Sequence, residues 1–169
     1  VIEQLTLPAS DDIEGLALLL LDAIEAGASV GFLDSTTLDH AREWWRERIS
    51  NADKRAIFLV ARDDDGISGT VQLLPAPMPN QRHRADIAKL LIHRRARRQG
   101  LGRMLMEEIE RRAQSAGFTL LTLDTKRGDA AESLYRANGW TEVGVIPGYA
   151  LDPDGTVCDT VVFYKVLSV

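Results

Sequence analysis

Gly100 and Gly102 stand one residue apart, behind the apolar run Ala85 to Ile92 and ahead of a helical pattern. Glycine lets backbone N–H groups reach a ligand with no Cβ in the way, and a helix N-terminus carries partial positive charge. Gly100, Leu101 and Gly102 therefore predict a pyrophosphate site, to which Arg97, Arg98 and Arg103 would add charge-assisted hydrogen bonds. Neither common phosphate loop fits. A dinucleotide fingerprint needs its third glycine where Leu105 stands, and no Gly-Lys-Ser/Thr follows for a P-loop. Downstream, Asp124 is expected at the C-terminal end of a buried strand, where α/β sheets open into a ligand crevice. There its carboxylate could hold an ammonium group or accept its proton, or it could merely close a turn on Thr125 or Gly128.

Other reactive side chains point nowhere. His40, His83 and His93 share no ligand spacing, so no metal site is predicted. Ser29 and Ser133 lack His and Asp partners in any triad pattern. Cys158 is the single cysteine, so no intrachain disulfide can form; it is expected to pack as a small hydrophobe.

With 169 residues, 45% of them hydrophobic, the chain fits one domain over 1–169 with a sizeable core. A net charge of −5 counts against general affinity for nucleic acid or an acidic membrane face. The charge is uneven. Residues 1–50 hold ten acidic residues against three Arg, whereas Arg82, Arg84, Lys89, Arg94, Arg95, Arg97, Arg98 and Arg103 crowd into 22 positions. A basic cluster in an acidic chain suggests one particular anion; a solvated loop is the plainer reading of the same residues. No apolar run approaches the roughly 18 residues of a membrane span. The start lacks a signal-peptide layout, and without an initial Met the native chain could extend before Val1. A cytoplasmic protein, monomer or homodimer, is expected.

The elements that must position these residues follow from periodicity. Strands are predicted at Ile2–Leu7, Arg55–Arg62, Ile67–Leu74, Ala85–Ile92, Phe118–Leu123, Trp140–Ile146 and Val157–Leu167. Asp65-Gly66 reads as a hairpin turn, and Pro147-Gly148-Tyr149 as part of the link between the last two strands. Helices are predicted over Asp11–Glu25, with Asp11 and Glu14 as a capping box, over Thr37–Ile49, from Leu101 with Gly117 just past its end, and over Ala130–Ala137. Of Trp44 and Trp45, one should face the core and one a cleft or partner. The order gives an α/β (α+β) fold: one mixed, mostly antiparallel sheet of about seven strands with helices on both faces.

The run Arg97-Arg98-Gln99-Gly100-Leu101-Gly102 resembles the R/Q-x-x-G-x-G/A signature of the GCN5-related N-acetyltransferases, placed between strand and helix as that family places it. Ala131 to Trp140, with Leu134-Tyr135 and Gly139-Trp140 inside it, is similar to the family's A-x-x-L-Y-x-x-x-G-F/W segment. Beyond these motifs GASVGF, LMEEIE, LDT, PGY and PDG extend the likeness to members that inactivate a toxin by acylating its amine. Two departures stand out: Arg94 where the family often has Pro, and Gly128 where many members carry Asn.

The resemblance implies the acyl-CoA N-acyltransferase fold and acetyl-CoA as co-substrate, lying between the strands 85–92 and 118–124. Its pyrophosphate would meet Arg97, Arg98, Gln99, Gly100, Leu101, Gly102 and Arg103, its pantetheine the backbone near Leu91 and Ile92. Tyr135 would be the general acid for the departing thiolate. Val30, Phe32, Asp124 and Tyr149, from the 27–35 and 147–155 regions and the strand end, would meet the acceptor, a small amine. A non-catalytic acyl-CoA-binding module is the alternative, against which Tyr135 speaks. A nucleic-acid contact through Arg94 to Arg98 is a third, disfavoured by the acidic charge.

Overall fold

The computed structural model describes residues 1–168. Seven strands form one sheet: β1 (Ile2–Gln4), β2 (Ile57–Asp63), β3 (Gly66–Pro75), β4 (Arg84–Ile92), β5 (Leu120–Lys126), β6 (Thr141–Leu151) and β7 (Val157–Val166). Their order is β1-β2-β3-β4-β5-β7-β6, and every neighbouring pair is antiparallel except β4 with β5. Helices α1 (Ser10–Glu25) and α2 (Leu38–Ser50) cover one face; α3 (Leu101–Ser115) and α4 (Ala130–Ala137) cover the other. This is the mixed, mostly antiparallel architecture that the element order predicts.

Strand residues alternate between two separately covered faces, so both sets are apolar. On β2, Leu59 and Ala61 join the core under α3, while Phe58 and Val60 join the core under α1 and α2. Trp45 is fully buried in the latter and Trp44 is half-buried beside it, ring edge to face at 5.0 Å. The two tryptophans divide as their spacing predicts.

Four local expectations change. Strand β1 ends at Gln4, because Leu5 turns into the α1/α2 core. Helix α1 starts at Ser10 and is capped by Asp12, whose carboxylate accepts from the Ala9 N–H at 2.8 Å; Glu14 is drawn instead to Arg42 of α2, at 2.6 and 2.9 Å. Strand β5 continues two residues past Asp124, so that carboxylate lies within the strand. Pro147-Gly148-Tyr149 lies inside β6, whose register passes from Ile146↔Thr160 to Ala150↔Cys158. Asp159 stabilises the irregularity by accepting from the Gly148 N–H at 2.9 Å. A proline is tolerated there because β6 is the sheet edge.

Helix α3 approaches the sheet closely over Gly69 of β3. A Cβ there would lie 3.0 Å from Leu105, 3.1 Å from Ile92 and 3.3 Å from Leu101. Gly69→Val should therefore destabilise the fold by about 1–3 kcal/mol through overpacking, read as a lower midpoint in urea unfolding at unchanged m.

Candidate active site

The sheet forks. The parallel ladder between β4 and β5 covers only Arg84–Asp86 with Leu120–Thr122, after which, among the described residues, no strand pairs with that edge of β4. At the fork Arg84 donates to Asp86 at 2.6 Å and to Thr122 at 3.1 Å, and the Thr122 hydroxyl donates to Asp86. Within the open stretch β4 carries a bulge. Gln72 faces Ala88 and Thr70 faces Leu91, leaving Lys89 and Leu90 together opposite Val71. Lys89 sits at φ +52, a left-handed conformation that costs a non-glycine residue about 1–2 kcal/mol. Beyond the bulge Leu91 packs into the α1/α2 core and Ile92 against the α3 core.

The loop from β4 into α3 presents backbone donors. Gly100 caps the helix at φ +80, with open space where a Cβ would lie, so conformation alone requires the glycine. The first helical bond runs from Met104 N to Gly100 O at 3.1 Å. The N–H groups of Leu101, Gly102 and Arg103 precede it and have no intrahelical partner. Arg98 is also left-handed, at φ +61, and exposed.

Most arginines of this loop meet carboxylates of the protein. Asp22, 6% exposed on α1, accepts the Arg94 backbone N–H at 3.0 Å, the Arg94 guanidinium, and Arg97 at 3.2 Å. Arg97 also donates to Ile92 O at 3.0 Å, Arg95 to Asp63 at 3.0 and 3.1 Å, and Arg103 to Glu107 at 2.7 Å. The Gln99 amide donates to Arg95 O at 3.0 Å, and His93 caps the turn by accepting from Arg95 N at 3.2 Å. The departure at Arg94 now has a reason: proline has no N–H to offer Asp22.

Tyr135 and Asp124 approach the fork from α4 and β5. Tyr135 is 5% exposed, its ring 6.0 Å from Trp140 and 5.8 Å from Phe163. Its hydroxyl bonds to no protein group among the described residues. Burial, then the carboxylates of Asp124 and Asp129, push the phenol above its ordinary range, so it stays protonated. Asp124 accepts from Thr160 of β7 at 2.9 Å, and neither Thr125 nor Gly128 closes a turn on it. The Gly128 N–H instead donates to Glu132 at 2.7 Å, so Glu132 caps its own helix.

On the α2 side of the fork, Phe32 meets Trp44 edge-on at 5.2 Å, with Lys89 Nζ 5.4 Å and the Arg48 guanidinium 5.7 Å from the same ring. Burial and the Arg48 charge depress the Lys89 ammonium, against the pull of Asp124. Val30 packs at the edge of the α1/α2 core. The 27–36 loop is tied to the β6–β7 turn by Asp34 N donating to Pro153 O at 3.0 Å, and Cys158 Sγ lies 3.6 Å from Ser29 Oγ. Tyr149 is exposed on β6 and makes no hydrogen bond or ring contact with this group among the described residues. Sequence reasoning passed over Asp22, Arg48 and Lys89 as individual site residues. The signal was there for two of them: one Asp in LLLLDAI and one Lys in ADIAKLLI.

Asp22→Asn should loosen the loop and expose its dependence on this one carboxylate. The expected result is a loss of about 2–4 kcal/mol in denaturant unfolding. Faster amide hydrogen exchange from His93 to Gly102 should accompany it.

Residues 19–140 match the Acetyltransferase (GNAT) family. An N-acetyltransferase in the hisH-hisA intergenic region of Azospirillum brasilense, itself uncharacterized, is 27% identical over 127 residues, 74% of each chain. A solved protein assigned as a phosphinothricin N-acetyltransferase superposes with a TM-score of 0.82 at 21% identity, over the full length of both chains. The yncA structure from Salmonella typhimurium, solved with its cofactor acetyl-CoA, gives 0.80 at 16% identity over 100% of this chain and 94% of that one. With residues 19–140 matched, 122 of its 169 residues, the chain belongs to the GNAT acetyltransferase family.

Proposed function

We propose that the chain is a single-domain, cytoplasmic N-acetyltransferase that transfers acetyl from acetyl-CoA to the amine of a small molecule within a ternary complex. The observation that carries this reading is the fork: an unpaired β4 edge leading to free N–H groups on one side, with a protonated, buried phenol beside it. Acetyl-CoA supplies an activated thioester when bound. The N–H groups of Leu101, Gly102 and Arg103, with exposed Arg98, take its pyrophosphate. Gly100 and Gln99 shape that loop, and Arg97 holds it to Ile92 and Asp22. Backbone around Leu91 and Ile92 orients the thioester, and a β4 N–H polarises its carbonyl.

The acceptor nitrogen must be neutral to attack. Asp124 binds the ammonium and helps remove its proton toward solvent. The C–N bond forms, the C–S bond breaks, and Tyr135 gives its proton to the departing thiolate. With unperturbed values of about 10 for a phenol and about 8.5 for a thiol, that transfer costs about 2 kcal/mol or more, small against a catalytic barrier. Val30, Phe32 and Tyr149 shape the acceptor site. The likeness of GASVGF, LDT, PGY and PDG to the tabtoxin resistance protein, and the structural neighbour assigned to phosphinothricin, both favour an amino-acid-like toxin or antibiotic as acceptor.

Thiol release from acetyl-CoA against a panel of amines tests this. Turnover with at least one small amine is expected, and Tyr135→Phe should lower kcat by about 10²-fold or more without weakening CoA binding. Tight CoA binding with no turnover on any amine would instead support a non-catalytic binding module. Full activity in Tyr135→Phe across pH would remove the tyrosine from the mechanism alone.

A further inference from the structure

Fifteen of the twenty Lys and Arg side chains reach a carboxylate among the described residues; Arg48, Lys54, Arg82, Lys89 and Arg98 do not. Lys54, Arg82 and Arg98 are exposed, and water solvates them. Arg48 and Lys89 are withdrawn from solvent, and both lie against the Trp44 ring, at 5.7 and 5.4 Å. In an acidic protein, two unpaired, partly buried cations on one indole are an expense with no internal return.

A third donor adjoins Arg48. Gln72 is fully buried between the strands, opposite Ala88 and next to the Lys89 bulge. Arg48 Nε donates to Gln72 Oε1 at 3.2 Å, and because a guanidinium can only donate, the amide's Nε2 is fixed as the free end. That N–H₂ is buried with no partner. The ammonium and the guanidinium, which meet no carboxylate among the described residues, and the amide N–H₂, which has no partner, thus form one donor set. The 27–36 loop passes close by: a Cβ on Gly31 would lie 3.8 Å from Lys89 Nζ, an ordinary contact, and the glycine itself answers to a φ of +89.

We propose that this donor set, led by Lys89 with Arg48, binds an oxyanion of the acceptor, so that the enzyme selects amines that also carry a carboxylate, phosphinate or phosphonate. The inference rests on the acetyltransferase reading above. Lys89 lies on the bulge of the unpaired β4 edge, and Asp124 is near enough for the two charges to interact. Asp124 is bonded to Thr160 and makes no ion pair with Lys89. A zwitterionic acceptor would match the pair, its oxyanion on Lys89 and its ammonium toward Asp124. Trp44 and Phe32 would flank its carbon skeleton. Polyamines and amines without a nearby anion would meet like charge instead.

Two measurements test it. In turnover, amino acids are compared with their own carboxamides, and 2-amino-4-phosphonobutyrate with butylamine. The anionic member should have the lower KM by about tenfold to a hundredfold. Lys89→Met should erase that preference, mainly through KM, and Lys89→Arg should restore most of it. Carboxamides used as well as acids, or a preference untouched by Lys89→Met, would overturn the proposal.

The second measurement needs no turnover. In protein labelled with [13Cε]lysine, the Lys89 signal is assigned by its loss in Lys89→Met, and methylphosphonate is titrated in. Saturable movement of Lys89 with none at exposed Lys54 is expected, and methylammonium should move neither. Equal or absent responses would overturn the site even if acetyl transfer is observed. If CoA itself shifts Lys89 and abolishes the methylphosphonate response, the anion belongs to the co-substrate and the acceptor assignment fails. If CoA binds, no amine turns over and Lys89 still takes methylphosphonate, the acetyltransferase reading fails while the anion site stands.

Discussion

The parting of β4 and β5 is the constraint on which the rest depends. Among the described residues they are the only parallel neighbours in the sheet, and parallel neighbours need a crossover, which here is α3. The crossover delivers a helix N-terminus to the end of β4, where its free N–H groups face whatever enters the gap. Three paired residues hold the fork closed at its base, with Arg84, Asp86 and Thr122 bonded across it. Past that point the backbone of β4 has no strand partner on that side among the described residues, and a buried edge without partners is stable only where a ligand or water can satisfy it.

The basic loop at the tip of the fork is stabilised from within. Placing Asp22 in an otherwise apolar stretch of α1 would be costly unless several donors met it, and the loop supplies a backbone N–H and two guanidinium groups. The arginine cluster therefore serves two purposes. Arg94, Arg95 and Arg97 anchor the loop to Asp22, Glu25 and Asp63, which leaves the backbone and Arg98 turned outward. Arg94 takes the place of a proline because the anchor on α1 requires an N–H.

The two faces of the fork differ in electrostatic character. On the α3/α4 face, Tyr135 is enclosed by Trp140 and Phe163 and held protonated by desolvation and nearby carboxylates. On the α1/α2 face, Trp44, Phe32, Arg48 and Lys89 surround a mixed aromatic and cationic surface beside Asp124. The fork thus sets a buried, protonated phenol on one side and two cations against an indole ring on the other.

Local rules determined a good deal by sequence alone. Alternating apolar residues marked the strands to within a few positions, Gly100 and Gly102 marked the junction of β4 with α3, and Leu134-Tyr135 with Gly139-Trp140 marked α4. These features depend on a residue and its near neighbours, so one chain suffices to read them. Tertiary structure decided the pairing of charges. Whether Arg97 faces a ligand or Asp22, 75 positions away, depends on how α1 lies over the sheet, and no spacing in the sequence encodes that contact. The same holds for the bulge that turns Lys89 toward Trp44, for Asp124 finding Thr160, and for Pro147-Gly148-Tyr149 lying within β6. Short-range preference wrote the elements and the glycine turn ahead of α3; long-range packing chose which charges meet a carboxylate within the fold and which do not.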